Sequence, residues 1–440
     1  MIYFDLTSCM TYIGRNPVGI VRVEMKLAQY ALDHMTPEEI TFCYFDLSFK
    51  RVGFLAFSDA QGVLNQIGRP LPPPPTAPAQ PPPAPEKPPF WFRVRRKLSF
   101  LKSRFKSMFA PEPPPPAAVP AEAPPVRLAE EPLNVSWNEN DTFVTVGLIW
   151  DIWPMERLYA ARETGHFRVV GMVYDLIPYK VPEFCRGVPP SFFQAVVDLL
   201  WCSEKIITIS ECTSRDLKEF IGKFGLPSPW IQANILGMDV STIPENYTPP
   251  GSELDISRLK PGHFILQVGT MEPRKNHQVI CNAYRYLIKN GHGNELLPWV
   301  IVGAPAWGLN DLVESIRLDP ALYPGLVVFS NHVSDATLAW LYHNCSFTVY
   351  PSYYEGWGLP VSESLAFGKF CLTGTNDALR EASAGLTENI DPFDTVGWAR
   401  RLLELMKHPE LVQQKNADIR ENYRIRTWEE SGRDFFRAII

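Results

Sequence analysis

Two carboxylates, Glu355 and Glu363, flank the turn-rich stretch YEGWGLPVSE, residues 354 to 363. The apolar run SFTVYPS before it reads as a strand, and VSESLAFG after it reads as a helix with Pro360 in the first turn. Glu355 then stands at a strand's end and Glu363 about one turn into the helix. Gly356 and Gly358 let the backbone come close to a bound group. With Trp357 and Leu359 they place amides at a helix start, which favours an anion such as a diphosphate. Taken alone, the same residues also describe an ordinary helix start with two acids near the favourable end of its dipole.

A second stretch, ILQVGTMEPRKNH, puts Gly269, Thr270, Arg274 and Lys275 after another apolar strand. Lys275 offers a diphosphate a point charge and Arg274 a fork of donors. Two cations at a helix start oppose the dipole, so an anionic ligand would relieve them. Near the amino terminus, CMTYIGRNPVGIVRVE carries Gly14, Pro17, Gly19 and Arg22 between a strand and a helix. Arg22, one turn into that helix, can meet a phosphate or simply face solvent.

These corners need strands and helices to hold them, and the chain alternates the two. IYFDLT, ITFCYFDL, TFVTVGLIW, RVVGMVYDLIP and KIITIS read as strands, separated by helices such as VRVEMKLAQYAL, SFFQAVVDLLWCSE and SRDLKEFIGKF. After a Pro-, Ser- and Gly-rich break at residues 244 to 259, a second round follows with FILQVGT, WVIVGA, LVVFS, SFTVYPS and FCLTGT. The pattern predicts an α/β chain of two doubly wound, Rossmann-like domains, residues 1–69 with 126–245, and residues 255–415. Ligands should sit beyond the carboxyl ends of the strands.

Residues 70–125 interrupt the first domain and hold 20 of the 43 prolines, in runs that favour extended polyproline and cannot build a core. Between these tethers lies FWFRVRRKLSFLKSRFKSMF, residues 90–109, with seven basic residues and no acid. Phe90, Val94, Leu98, Leu101 and Phe105 recur at helical steps, while Arg93, Arg96 and Lys97 fall mostly elsewhere on the wheel. With Trp91, this predicts a basic amphipathic helix suited to an anionic membrane surface. The rival readings are packing on the protein's own acidic surface, and disorder.

Composition narrows the class. At 440 residues, 45% hydrophobic and 20% charged, the chain suits two globular domains, and it has no apolar run of the roughly 20 residues that span a bilayer. MIYFDLTSCM lacks a basic n-region and reads as a first strand rather than a signal peptide, which places the protein in the cytoplasm. Eight scattered cysteines show no metal-ligand spacing and read as reduced core residues; no metal or cofactor is expected. A net charge of −6 gives no reason to expect nucleic acid.

ILQVGTMEPRKNH followed by VYPSYYEGWGLPVSESLAFGK resembles the retaining glycosyltransferases of family 4, which have the GT-B fold. VVGMVYDLIPYKVPEFC and ITISECTSRDL extend the likeness, more loosely, to bacterial mannosyltransferases of O-antigen and exopolysaccharide synthesis. The resemblance implies that Glu363 binds the donor's ribose and Glu355 its sugar. Gly269, Thr270, Gly356, Trp357, Gly358, Leu359 and Gly19 would line the donor, and Lys275 and Arg274 would hold the diphosphate. Thr270 stands where many relatives have arginine. Tyr174 stands where His is common before Asp175, the latter carried over as a catalytic residue. Arg22 and Tyr174 would lie toward the acceptor or a phosphate, and residues 416–440 would form a terminal helix crossing back to the first domain.

The expected activity is metal-independent, retaining transfer of a hexose, with mannose from GDP-mannose as the expected donor sugar, to a lipid-linked or polysaccharide acceptor at the inner face of the cell membrane. A UDP- or dTDP-sugar transferase, an inactive sugar-nucleotide-binding adaptor and a nucleotide-sugar epimerase are the alternatives.

Overall fold

The computed structural model describes residues 1–15, 17, 19–68, 133–148, 153–185, 187, 189–257, 259–306 and 308–440. The insertion at 70–125, with the amphipathic segment 90–109 and its candidate membrane residues Phe90, Trp91, Arg93, Arg96, Lys97 and Phe105, lies outside the described residues. Met1–Arg69 together with Glu131–Ile440 makes one compact unit.

That unit contains two sheets. The first has seven strands: β1 (Ile2–Asp5), β2 (Ile40–Asp46), β3 (Arg51–Leu55), β4 (Thr142–Thr145), β5 (Arg168–Val173), β6 (Lys205–Thr208) and β7 (Trp230–Ala233), in the order β3-β2-β1-β4-β5-β6-β7. All pairs are parallel except β2 with β3, and Phe4 sits opposite Phe42 on one side and Val144 on the other. The second has six parallel strands: β8 (Ile265–Val268), β9 (Trp299–Val302), β10 (Val327–Ser330), β11 (Phe347–Tyr350), β12 (Cys371–Gly374) and β13 (Glu388–Ile390), in the order β10-β9-β8-β11-β12-β13. WVIV of β9 and FTVY of β11 are buried along their whole length, as strands covered by helices on both faces must be.

The short β3 is antiparallel, and with the helix Phe57–Gln66 it follows β2 where the sequence shows no strong period. The last helix, Trp428–Ile439, starts in a capping box in which the Thr427 hydroxyl accepts from the Glu430 amide and the Glu430 carboxylate accepts from the Thr427 amide. It returns to the first sheet, where Phe435 and Phe436 enter the core with Phe4, Val21 and Leu27. Gly432 permits this approach, because a Cβ there would lie 2.4 Å from the Tyr30 ring.

The two lobes also meet directly. The Ser210 hydroxyl donates to the Gly356 carbonyl at 2.7 Å, and the Tyr354 hydroxyl donates to Asp216 at 2.7 Å. Phe184 stacks on Tyr353 with ring centroids 3.9 Å apart. Glu381 accepts the Glu211 and Cys212 amides at 2.8 and 3.1 Å, so one lobe caps a helix of the other.

Candidate functional site

Each lobe brings the carboxyl ends of its central strands to this junction. After β11 the chain passes Ser352 and Glu355 and reaches Gly358, whose φ of +110° serves as the N-cap of the helix Leu359–Ala366. A Cβ at Gly358 would also lie 2.5 Å from Leu379 Cδ2, so both conformation and space call for glycine. After β8, Gly269 adopts φ +143°, and its carbonyl lies where a Cβ on Gly303 would be.

Glu355 is only 6% exposed, and three donors converge on its Oε1. Lys275 Nζ lies at 2.6 Å, Arg274 Nη1 at 2.7 Å and the Ser352 hydroxyl at 2.6 Å. Burial alone would push this carboxyl up; the two cations and the hydrogen bonds outweigh it and hold Glu355 down at about 2, fully ionised at neutral pH. For Lys275 the balance falls the other way, since burial lowers it more than Glu355 raises it. Lys275 also donates to the Tyr350 hydroxyl. Arg274 is fixed from two more directions, donating to Glu272 at 2.6 Å and to the Tyr354 carbonyl at 2.7 Å. Burial works against its charge, yet Glu355 and Glu272 raise it further, so it stays a cation. His277, behind Lys275, is fully buried with neither ring nitrogen bonded, and burial and the ammonium push it down to about 3.

The amino-terminal lobe meets this cluster through Tyr174 and Asp175. A Cβ on Gly356 would lie 2.6 Å from the Tyr174 carbonyl and 2.8 Å from Asp175 Cβ. Gly356 is therefore glycine because the other lobe's backbone passes against it. Burial raises the Asp175 carboxyl, while the Ile177 amide, donating at 3.0 Å, and the Arg274 charge oppose the rise. The phenol of Tyr174 points away from the junction and donates to the Val146 carbonyl at 2.5 Å inside the core. Its side chain is packing, and only its carbonyl borders the site.

The remaining candidates divide into two groups. Glu363 accepts from the Tyr342 hydroxyl at 2.8 Å; burial raises its carboxyl, and the charge of Arg22 from the other lobe lowers it. Arg22 is thereby associated with the Glu363 side of the junction, and Gly19 and Thr270 are exposed. Trp357 packs on the amino-terminal core and lines a cavity of about 130 Å³ with Gly237, Met238 and Tyr423, away from the Glu355 cluster.

Ser352, Glu272 and Tyr350 complete the cluster and escaped the sequence reading. Ser352 precedes Glu355 by three residues and Glu272 precedes Arg274 by two, but only the turns after β11 and β8 aim them inward. Another missed group is an acidic pair at the carboxyl edge of the first sheet. Asp5 accepts from the Thr7 amide, Thr145 and Trp153. Glu24 accepts the Cys9 amide at 2.7 Å, in space left by the absent Cβ of Gly147. Burial, and then the charge of Asp5, push the Glu24 carboxyl up to about 8.

Residues 255–425, which hold Glu355, Glu363, Lys275 and Arg274, match the family Glycosyl transferases group 1. The match covers less than half of the chain, so it is this segment that is similar to the group 1 glycosyltransferases. The chain is 27% identical over 248 residues to the serotype-specific mannosyltransferase WbdA of Escherichia coli, covering 54% of this chain and 29% of WbdA. It is 26% identical over 232 residues to the O-antigen chain mannosyltransferase B of Escherichia coli, covering 52% of this chain and 59% of that one. The match thus spans less than two thirds of either relative. Among solved structures it is similar to Anabaena HepE, crystallised with UDP and glucose, with a TM-score of 0.54 and 13% identity over 99% of this chain and 98% of HepE. That likeness shows the fold, the two-lobed GT-B arrangement.

Proposed function

We propose that the protein is a retaining hexosyltransferase that moves mannose from GDP-mannose to a lipid-linked or polysaccharide acceptor in cell-surface glycan synthesis. The observation that carries the reading is the buried Glu355–Lys275–Arg274 cluster, set at the carboxyl edge of the second sheet and faced by Asp175 from the first. The names of the two mannosyltransferase relatives support the choice of sugar.

In this reading the donor diphosphate meets Lys275, Arg274 and the first amides of the helix Leu359–Ala366, which stabilise the charge that grows on the leaving group. Glu355, ionised and held by three donors, accepts from a sugar hydroxyl, and Glu363 accepts from the ribose. The bond from the anomeric carbon to the phosphate oxygen breaks while the acceptor oxygen bonds to that carbon from the same face. The acceptor proton passes to the departing phosphate, and the nucleoside diphosphate leaves. No step calls for a metal ion. Asp175 stands on the acceptor side, and Arg22 reaches toward the donor beside Glu363. Residues 90–109 would hold the enzyme at the cytoplasmic face of the membrane, a role that rests on their sequence.

The test is turnover of GDP-mannose, UDP-glucose and a dTDP-hexose, each with and without a saccharide acceptor, with and without EDTA, and with the anomeric configuration of the product read by NMR. Acceptor-dependent loss of GDP-mannose with an α-linked product supports the reading. Turnover of a UDP- or dTDP-sugar moves the donor assignment, interconversion of the donor alone marks an epimerase, and binding without turnover marks an adaptor.

A further inference from the structure

The turn between β2 and β3 displays large apolar side chains to solvent. Leu47 is 54% exposed, Phe49 69%, and Phe54, on β3, 50%. Lys50 and Arg51, both exposed, stand among them, and the Arg51 guanidinium lies 5.0 Å over the Phe49 ring. The turn has a built shape. Asp46 accepts the Ser48 and Phe49 amides at 2.9 and 3.1 Å, and Lys50 takes φ +50°, a conformation uncommon for a residue with a side chain.

A cation at the start of an edge strand has one ordinary purpose, to block pairing with another strand. That accounts for Arg51 and leaves Leu47 and Phe49 unexplained. Clustered exposed apolar groups mark a partner surface. The position is informative too: β2 ends at the carboxyl edge of its sheet, the edge that also carries Asp5 and leads from β5 to Tyr174 and Asp175.

We propose that Leu47, Phe49, Lys50 and Arg51 form a docking tip for an anionic lipid surface, with the two apolar side chains entering the headgroup boundary and the two cations staying among the lipid phosphates. Charge decides the occupant. A two-fold contact with a second copy would set Lys50 and Arg51 against their own counterparts, whereas an anionic bilayer satisfies cations and apolar groups together. The use of this surface, presenting the junction at Asp175 to a membrane-borne acceptor, rests on the function proposed above; the docking itself is measured without any turnover.

The experiment uses the full chain with Ser48→Cys carrying an environment-sensitive nitrobenzoxadiazole dye. The wild-type chain taken through the same labelling gives the baseline from the half-buried Cys185. Vesicles of phosphatidylcholine with phosphatidylglycerol should shift the emission to the blue, and vesicles of phosphatidylcholine alone should not. The pair Leu47→Ser and Phe49→Ser in the labelled chain should lower the blue shift of the dye at least about fivefold without lowering Tm, whatever vesicle binding residues 90–109 retain. Emission that stays unshifted while the protein still sediments with vesicles overturns the proposal, since binding then belongs to other residues. A concentration-dependent dimer abolished by the same two substitutions also overturns it and assigns the tip to a second copy. Transfer to a soluble acceptor, assayed in parallel, fails only if the proposed activity is wrong.

Discussion

Lys275 Nζ lies 2.6 Å from Oε1 of Glu355, and the same oxygen takes a second cation, Arg274, at 2.7 Å. A buried carboxylate is thus shared by the two residues that the proposed donor diphosphate needs. With Glu272 on Arg274, the protein alone balances these cations, so an arriving diphosphate finds them already desolvated and fixed in place.

Glu355→Gln tests this balance. Two buried cations lose a counter-charge, which costs about 3 kcal/mol of stability, and transfer should fall about 100-fold or more. GDP should then raise Tm by more than it does in the wild type, because its diphosphate replaces the missing charge. Scanning fluorimetry with and without GDP reads the difference; equal shifts in the two proteins would remove Glu355 from the diphosphate site.

Gly356→Ala puts a Cβ against the Tyr174 carbonyl and Asp175. The lobes must separate or strain by about 1 to 3 kcal/mol, so transfer should drop while binding of the bare nucleotide to the second lobe persists. Calorimetric titration with GDP beside a transfer assay checks the split. A parallel loss of both would place Gly356 in nucleotide binding itself.

Glu381 caps the helix that starts at Glu211 from the opposite lobe. Glu381→Ala should cost about 1 kcal/mol, as loss of a cap does, and should increase the radius of gyration in solution scattering as the junction loosens. An unchanged radius with the same loss of stability would make the contact a local cap without influence on the lobes.

Glu24 predicts a pH dependence. Its carboxyl titrates at about 8 in the fold against an ordinary 4.5, so between those values the folded state keeps a proton that the unfolded chain has released. Its contribution is therefore fully present below about pH 4.5 and is lost as pH rises through 8, with a slope of up to about 1.4 kcal/mol per pH unit. His277, lowered to about 3 from 6.5, contributes the opposite slope below pH 6.5. The difference between wild type and Glu24→Gln isolates Glu24: urea midpoints at pH 6 and 8.5 should converge in the variant. A gap as wide as that of the wild type would mean that Glu24 is ionised in the fold.

Much was legible in the chain before any coordinate. A strand such as WVIV announces itself because a strand covered on both faces must be apolar throughout, and the corners after β8 and β11 follow from glycine, proline and charge placed next to such runs. The edge strand β3, the short β13 and the helix Phe57–Gln66 carried no comparable signal, since edge elements are half-exposed and their packing is settled by neighbours distant in sequence.

The roles within the site divide along the same line. Sequence by itself determined that Arg274, Lys275 and Glu355 stand in strand-to-helix corners of one lobe and Glu363 in the first turns of the helix after one of them, because spacing along a strand–turn–helix unit is local geometry. Only the tertiary structure decided that Arg274 and Lys275 share one oxygen of Glu355, that Gly356 is small for the sake of Tyr174 and Asp175, that the Tyr174 phenol faces the core, and that Trp357 leaves the cluster for the opposite lobe. Those facts depend on contacts between segments distant in sequence, from 28 residues for Tyr174 and Val146 to 80 for Lys275 and Glu355 and more beyond, where burial, close approach and competition for hydrogen-bond partners select one arrangement among several that local sequence permits.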